Sequence, residues 1–214
     1  MLTDRRDELA HLRVQTVNRL PRILSELFPG QPKKDLSALQ AKAMLATVRP
    51  RDIAGKTRRR MAAEELADLV VVDGNLNKIK DELKAMVIAR GSTLLQIHGI
   101  GSSRAARTLA AVGDITRLAD RNRFASWTGT APLDASSGEQ IRHRLSRAGN
   151  RRMNHVLHVA AINQLRHDTE GRAYFRRKVA AGKTRMEALR ALRRRLSDVL
   201  YRRWSPMPKP STTP

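Results

Sequence analysis

Hydrophobic residues recur at intervals of three and four along much of the chain, which is the spacing of one face of an α-helix. In the first 90 residues this pattern predicts helices at about 4–28, 35–48 and 58–90. Within the third, alternating steps of three and four residues form an a/d heptad seam. The seam consists of Leu69, Val72, Leu76, Ile79, Leu83 and Met86. We therefore predict a helical, coiled-coil-like connector at 1–90.

Three residues work against a long, regular connector. Pro21 lies inside the first predicted helix, where a proline costs about 3 kcal/mol and usually kinks the backbone. Gly74 weakens the third helix by about 1 kcal/mol, and Glu65 occupies the next seam position upstream, so the strict heptad stops there. The seam either pairs with the helix at 4–28 as an antiparallel hairpin or pairs with another copy of the protein, and the pattern favours neither.

A compact helical region is predicted after Gly91, which ends the connector. Thr184 and Glu187 form a capping box, in which each side chain satisfies a free backbone donor, at the start of its last helix. The elements predicted from the pattern are helices at 93–97, 102–112, 121–127, 147–166, 170–180 and from 184 onwards, with an irregular stretch at 129–145. The fold class is therefore mainly α, with a domain at 91–204 and a proline-rich, disordered tail at 205–214.

The charge of the chain indicates what kind of partner it binds rather than how it folds. Its 42 Lys and Arg outnumber 20 Asp and Glu, which gives a formal net charge of +22. A charge of this size attracts polyanions, and duplex nucleic acid is the first partner to consider. Aromatic residues make up only 3%, which argues against proteins that bind single strands by base stacking. No apolar run reaches the ~20 residues that span a bilayer, so we expect no membrane partner.

Gly99 and Gly101 form a Gly-x-Gly turn immediately before the predicted helix at 102–112. Such a turn lets backbone amides approach a phosphate, and the helix N-terminus adds positive potential. The arrangement is typical of a helix-hairpin-helix element, which grips duplex backbone without reading sequence. Arg104 and Arg107, one turn apart on the helix, favour that interpretation. The alternative is a tight turn between packed helices.

Ser137 precedes Gly138 in the irregular stretch, and a basic cluster follows it. A hydroxyl that attacks a phosphodiester needs the developing charge neutralised, and clustered arginines provide this. Serine before glycine is also common in ordinary turns, and His143 is the one nearby proton acceptor, a weak one. The basic cluster consists of Arg142, His143, Arg144, Arg147, Arg151 and Arg152. It opens a region, 142–203, with 18 Lys and Arg against 4 Asp and Glu, as a phosphate-binding face requires.

His155 and His158 are three residues apart on a predicted helix, a spacing that would suit two metal ligands. No acidic residue accompanies them, and cysteine is absent from the chain. We therefore expect structural histidines, no metal site and no cofactor within this chain.

The stretch 93–203 resembles the C-terminal domain of the insertion-sequence 110/116/902 family of transposases, which are DEDD-type recombinases. The landmarks occur in order: the helix-hairpin-helix glycines, F-x-x-W-x-G-x-x-P from Phe124 to Pro132, the Ser-Ser-Gly loop, and S-R-A-G-N-R-R at 146–152. The upstream helices are similar to the family's helical connector. The resemblance thus covers nearly the whole chain.

The resemblance implies a bacterial, cytoplasmic, nucleoid-associated protein that transposes an insertion sequence. The family joins this domain to a resolvase-like domain with four acidic metal ligands, and its serine forms a covalent link to DNA. Ser137 best matches that serine, with Ser136 as the fallback. The partners implied are duplex DNA at element ends and target, a second copy of the protein and, in many members, a guide RNA.

The acidic domain implied by the resemblance does not lie within these 214 residues. The Mg²⁺ of the full-length family enzyme would be held there, so we expect this chain alone to bind DNA without cutting it. The rival hypothesis is a non-catalytic RNA-binding or ribosome-associated basic protein. Parallel binding to DNA and RNA duplexes would separate the two.

Overall fold

The computed structural model describes residues 1–28, 30, 37–134, 143–145 and 148–204, with the backbone alone at 143–145. Within these residues the fold is mainly α, as predicted. The helices are α1 Leu2–Leu27, α2 Ala38–Thr47, α3 Ile53–Ala89, α4 Ser102–Val112, α5 Arg121–Trp127, α6 Arg151–Arg166, α7 Glu170–Ala180 and α8 Arg185–Trp204. None of the described helices has the length and apolar character needed to cross a membrane. The predicted disordered tail at 205–214 lies outside the described residues.

The chain divides into two compact units, Met1–Glu82 and Leu83–Pro214, and the division falls within α3. In the first unit α1 and α3 run antiparallel, because their ion pairs join rising positions in α1 to falling positions in α3. These pairs are Arg13–Asp73 at 2.6 Å, Arg19–Glu65 at 3.3 Å and Glu26–Arg58 at 2.6 Å. A shared apolar core joins α1, α2 and α3 through Leu20, Leu24, Ala41, Leu45, Ala62, Leu66 and Leu69. The structure thus shows the intramolecular hairpin.

The buried stripe of α3 follows the predicted seam in its middle and leaves it at both ends. Leu69, Val72 and Leu83 are buried, and Leu76 and Ile79 are half-buried. At the C-terminal end Met86 is 57% exposed while Val87 is buried, and upstream Leu66 is buried in place of Glu65. A straight helix has 3.6 residues per turn, so its buried stripe drifts away from a strict seven-residue repeat.

The two expected helix breakers lie inside continuous helices. α1 passes through Pro21 and ends at Leu27, and α3 passes through Gly74. α2 begins later than predicted because Ser37 caps it, in a capping box with Gln40. Packing of the amphipathic faces, rather than local propensity, maintains α1 and α3 through these positions.

The second unit is organised around α8, which contacts α5, α6 and α7. Its capping box is present, because Thr184 and Glu187 exchange hydrogen bonds as predicted. The predicted inner face of α8 is buried at Leu189, Leu192, Leu196 and Leu200. The core is completed by residues of the other helices, among them Leu94, Phe124, Val156, Leu157 and Ala160.

The stretch at 129–145 is not wholly irregular, contrary to the prediction. Strands β1 Pro132–Asp134 and β2 His143–Leu145 pair antiparallel, with Pro132 opposite Leu145. Strands of three residues are too short to show an alternating hydrophobic pattern, so the sequence carries no sign of them. α6 begins at Arg151 rather than 147, because the Asn150 side chain caps it by accepting from the Met153 amide.

Candidate nucleic-acid interface

The Gly-x-Gly turn packs against the backbone of α6. Gly99 has a φ of +89°, and a Cβ there would lie 2.7 Å from the carbonyl oxygen of Ala160 and 3.0 Å from its Cα. Gln164 of α6 fixes the turn further, because its Nε2 donates to the His98 carbonyl oxygen at 3.1 Å. Both the positive φ and the close approach require glycine here. Packing between helices therefore accounts for Gly99.

Gly101 is the N-cap residue of α4. It is exposed, a Cβ there would meet no described atom within 4 Å, and no side chain caps the helix. The first amides of a helix have no acceptor within it and carry partial positive charge. Arg104 and Arg107 are half-buried one turn apart on α4, and Arg104 reaches the Gly99 carbonyl oxygen at 3.4 Å. The exposed N-cap glycine therefore lies beside the helical turns that carry Arg104 and Arg107.

The base of the β1–β2 hairpin is closed by contact between two glycines. A Cβ at Gly149 would overlap the backbone nitrogen of Gly129 and lie 2.5 Å from its Cα. Gly129 itself has a φ of +68°. The amide of Asn150 donates to the Trp127 carbonyl oxygen at 2.7 Å. Two motifs separated in sequence, F-x-x-W-x-G-x-x-P and S-R-A-G-N-R-R, thus meet at one point and fix the start of α6.

A buried polar network supports this base from α6 and α8. Asn154 Nδ2 donates to the carbonyl oxygens of Thr128 at 3.1 Å and Gly129 at 3.0 Å, while its Oδ1 accepts from Arg193. The hydroxyl of Thr128 lies 3.0 Å from that of Thr130 and 3.4 Å from that of Ser197. The sequence analysis missed this network. The sequence did contain a signal for this network. Asn154 lies inside a predicted helix, and Arg193 interrupts the apolar face of another.

Positive charge accumulates where α8 meets α6. Arg193 is only 7% exposed, and burial, followed by the repulsion of Arg190, lowers the pKa of its guanidinium. Burial lowers the pKa of His158 as well, with Arg193 and His155 adding to the effect. Each neighbour acts in the same direction because all are cationic or become so on protonation.

The structure describes only some of the predicted reactive residues. Ser136, Ser137, Arg142 and Arg147 lie outside the described residues, and for Arg144 the structure gives its backbone, which pairs with Leu133 in the hairpin. Ser137 belongs to the segment that joins Asp134 of β1 to His143 of β2. Arg151 and Arg152 are exposed in the first turn of α6. Among the described residues, no group of three or more His, Asp or Glu could hold a metal ion.

Residues 91–176 match the sequence profile described as the Transposase IS116/IS110/IS902 family. That segment contains the Gly-x-Gly turn, α4, α5, the hairpin, α6 and part of α7.

Three curated proteins of insertion elements are similar to the chain. The 43.6 kDa protein of IS110 from Streptomyces coelicolor is 30% identical over 138 residues, which are 63% of this chain and 34% of that protein. The 42 kDa protein of IS900 from Mycobacterium paratuberculosis is 34% identical over 111 residues, 50% of this chain and 28% of its own. The 44.8 kDa protein of IS116 from Streptomyces clavuligerus is 32% identical over 114 residues, which are 52% of this chain and 28% of that protein. The chain therefore spans about a third of the length of these relatives.

Proposed function

We propose that this chain, whose residues 91–176 match the IS116/IS110/IS902 family of transposases, binds the duplex DNA of an insertion element and takes part in its transposition. The observation that carries the proposal is the closed base of the hairpin. There Gly129, shortly before β1, contacts Gly149, shortly before the basic start of α6. The segment that contains Ser137 lies between these two glycines in the sequence. In this proposal a serine of that segment and the arginines around it act on the DNA backbone close to this contact.

DNA binding in this proposal is dominated by phosphate contacts. The exposed start of α4 at Gly101 supplies backbone amides, and Arg151 and Arg152 lie at the N-terminus of α6. The helix dipole and the guanidinium groups both favour a bound phosphate. Such contacts carry no sequence information. Gly99 contributes by holding the turn against α6. The further proposed contacts are Arg104, Arg107, Arg142, Arg144 and Arg147.

The proposed chemistry is attack of the Ser137 hydroxyl on a backbone phosphate, with Ser136 as the alternative nucleophile. The serine oxygen forms a bond to phosphorus, its proton passes to a base, and the bond from phosphorus to one deoxyribose oxygen breaks. The neighbouring arginines would neutralise charge on the phosphate. Mg²⁺ prefers carboxylate ligands, and the described residues contain no cluster of three or more side chains that could hold a metal ion. The described residues therefore do not fit the Mg²⁺ that the family implies.

A filter-binding series in rising salt, with DNA and RNA duplexes in parallel, tests the binding function. We expect DNA affinity to fall steeply as salt rises, because each neutralised phosphate releases counterions. Arg151→Gln with Arg152→Gln should weaken binding and flatten the salt dependence. Arg22→Gln, an exposed arginine of α1, is the matched control and should change little.

The outcomes of that series separate the proposal from its rival. Strong binding to RNA without binding to DNA would favour a non-catalytic RNA-binding protein. A salt-independent signal with both duplexes would exclude phosphate-dominated binding altogether. Equal losses for the α6 pair and for Arg22 would show that net charge, rather than this surface, determines affinity.

A further inference from the structure

One face of α6 carries basic and titratable side chains from its first turn onwards. Arg151, His155 and His158 are spaced by four and three residues and therefore lie on the same side of the helix. The hydrogen bond from Arg193 to Asn154 brings α8 against this part of α6. Arg190 lies one turn before Arg193 on α8 and repels it. Two helices thus bring cationic groups together at one place.

Glu187 of α8 interacts with Arg190, whereas no described carboxylate pairs with Arg193. Arg193 is 7% exposed, its described hydrogen-bond partner is the neutral Asn154, and its Nε has no partner among the described residues. The sequence of α6 contains no Asp or Glu. A buried cation is expensive unless an opposite charge lies near it. The arrangement therefore favours an anion that comes from outside the chain.

We infer that His155, His158 and Arg190, backed by Arg193, form a binding site for a nucleic-acid phosphate between α6 and α8. The inference rests on the proposed DNA binding and assigns these histidines a ligand, where the sequence analysis expected a structural role. His155 is exposed, and His158 and Arg190 are half-buried, so a backbone phosphate can reach their outer edges. The site continues the row that Arg151 begins at the N-terminus of α6.

Phosphate binding at this site takes up protons. The charged groups that act on His158 are Arg193 of α8 and His155 of its own helix, and among the described residues no group of α4 or α7 contributes. These neighbours favour the neutral imidazole in the free protein. A bound phosphate reverses the local potential and favours the charged imidazole. By linkage, DNA affinity therefore increases as pH falls through the histidine range, about 8 to 6.

The test is fluorescence anisotropy of the full chain with a labelled DNA duplex at constant ionic strength, between about pH 8 and about pH 6. We expect the affinity for DNA to rise about tenfold between about pH 8 and about pH 6, because binding is linked to the uptake of one proton. His155→Gln with His158→Gln should remove most of this rise. Arg190→Gln should lower affinity at both pH values and reduce the salt slope by about one.

His11→Gln, an exposed histidine of α1, is the matched control and should keep the full pH dependence. The inference is overturned if the wild type binds DNA equally at both pH values, or if the double variant keeps the rise. Absence of any DNA binding would instead defeat the proposed function. Should the double variant fold poorly, NMR titration of the wild-type imidazoles decides. DNA must then raise the pKa of His158, and an unchanged pKa contradicts the site.

Discussion

Gly149 and Gly129 are in contact so close that neither a Cβ nor any larger group fits between them. A Cβ at Gly149 would lie 2.5 Å from the Cα of Gly129 and 3.0 Å from the carbonyl carbon of Thr128. Both obstacles are backbone atoms, so no side-chain rotation relieves the overlap. The contact closes the base of the hairpin and sets where α6 begins.

Gly149→Ala is therefore expected to destabilise the second unit by about 1–3 kcal/mol, the usual range for overpacking. Urea unfolding of the purified chain measures this. Gly74→Ala is the matched control, because no described atom lies within 4 Å of a Cβ there. That control should stabilise α3 by up to about 1 kcal/mol. Wild-type stability in Gly149→Ala would show that the hairpin base opens without penalty.

Asn154→Leu should lower the free energy of unfolding by about 2–3 kcal/mol, the range for losing a hydrogen bond to a charged group. The change leaves the buried Arg193 without its described acceptor and removes the donor to the carbonyls of Thr128 and Gly129. Arg193→Met in the same chain should recover part of the loss, because no buried charge then remains. Additive losses in the double variant would contradict the coupling.

The stability of the second unit should decline as pH falls below the ordinary histidine pKa of 6.5. Burial lowers the pKa of His158 in the folded protein, so the unfolded chain binds the proton more readily. The contribution of neutral His158 to stability is complete above pH 6.5. It disappears as pH falls through the lowered pKa of His158 in the folded protein. Thermal unfolding across this range should show a weaker decline for His158→Gln, whereas His11→Gln should behave as the wild type.

Ser137→Ala should abolish a covalent protein–DNA adduct while leaving salt-sensitive DNA binding almost unchanged. The assay combines the chain with the acidic domain implied by the family and Mg²⁺, and detects the adduct on a denaturing gel. Ser136→Ala is the matched control and should retain the adduct. The opposite result for the two variants would move the assignment by one residue, and an adduct in both would rule out the serine mechanism.

Pro21→Ala should raise the stability of the first unit, by up to about 3 kcal/mol, since α1 continues through this position without the hydrogen bond that proline cannot donate. Thermal unfolding followed by circular dichroism measures the gain. Arg22→Ala at the next position is expected to be close to neutral, because arginine and alanine have similar helix propensities. A loss of stability in Pro21→Ala would show that the ring contributes packing that exceeds this penalty.

Local signals predicted most of the helices, because caps and apolar spacing lie within a few residues of each other. α4, α5 and α7 occupy their predicted ranges, and the capping box at Thr184 is present. The hairpin and the network around Asn154 depend on partners distant in sequence, and three-residue strands have no readable period. The same limitation applies to Gly149, whose need for glycine comes from Gly129 rather than from its own backbone. The role of Ser137 stays a prediction.

The polar network beneath the hairpin has a consequence for the order of synthesis. Thr128 and Ser197 are separated by 69 residues, and Asn154 and Arg193 by 39. On the ribosome, the hairpin is therefore translated well before α8, which supplies Arg193 and Ser197 to this network. Contacts of such long sequence separation form late in folding. The base of the hairpin thus gains its full polar support only when α8 has been made and docked.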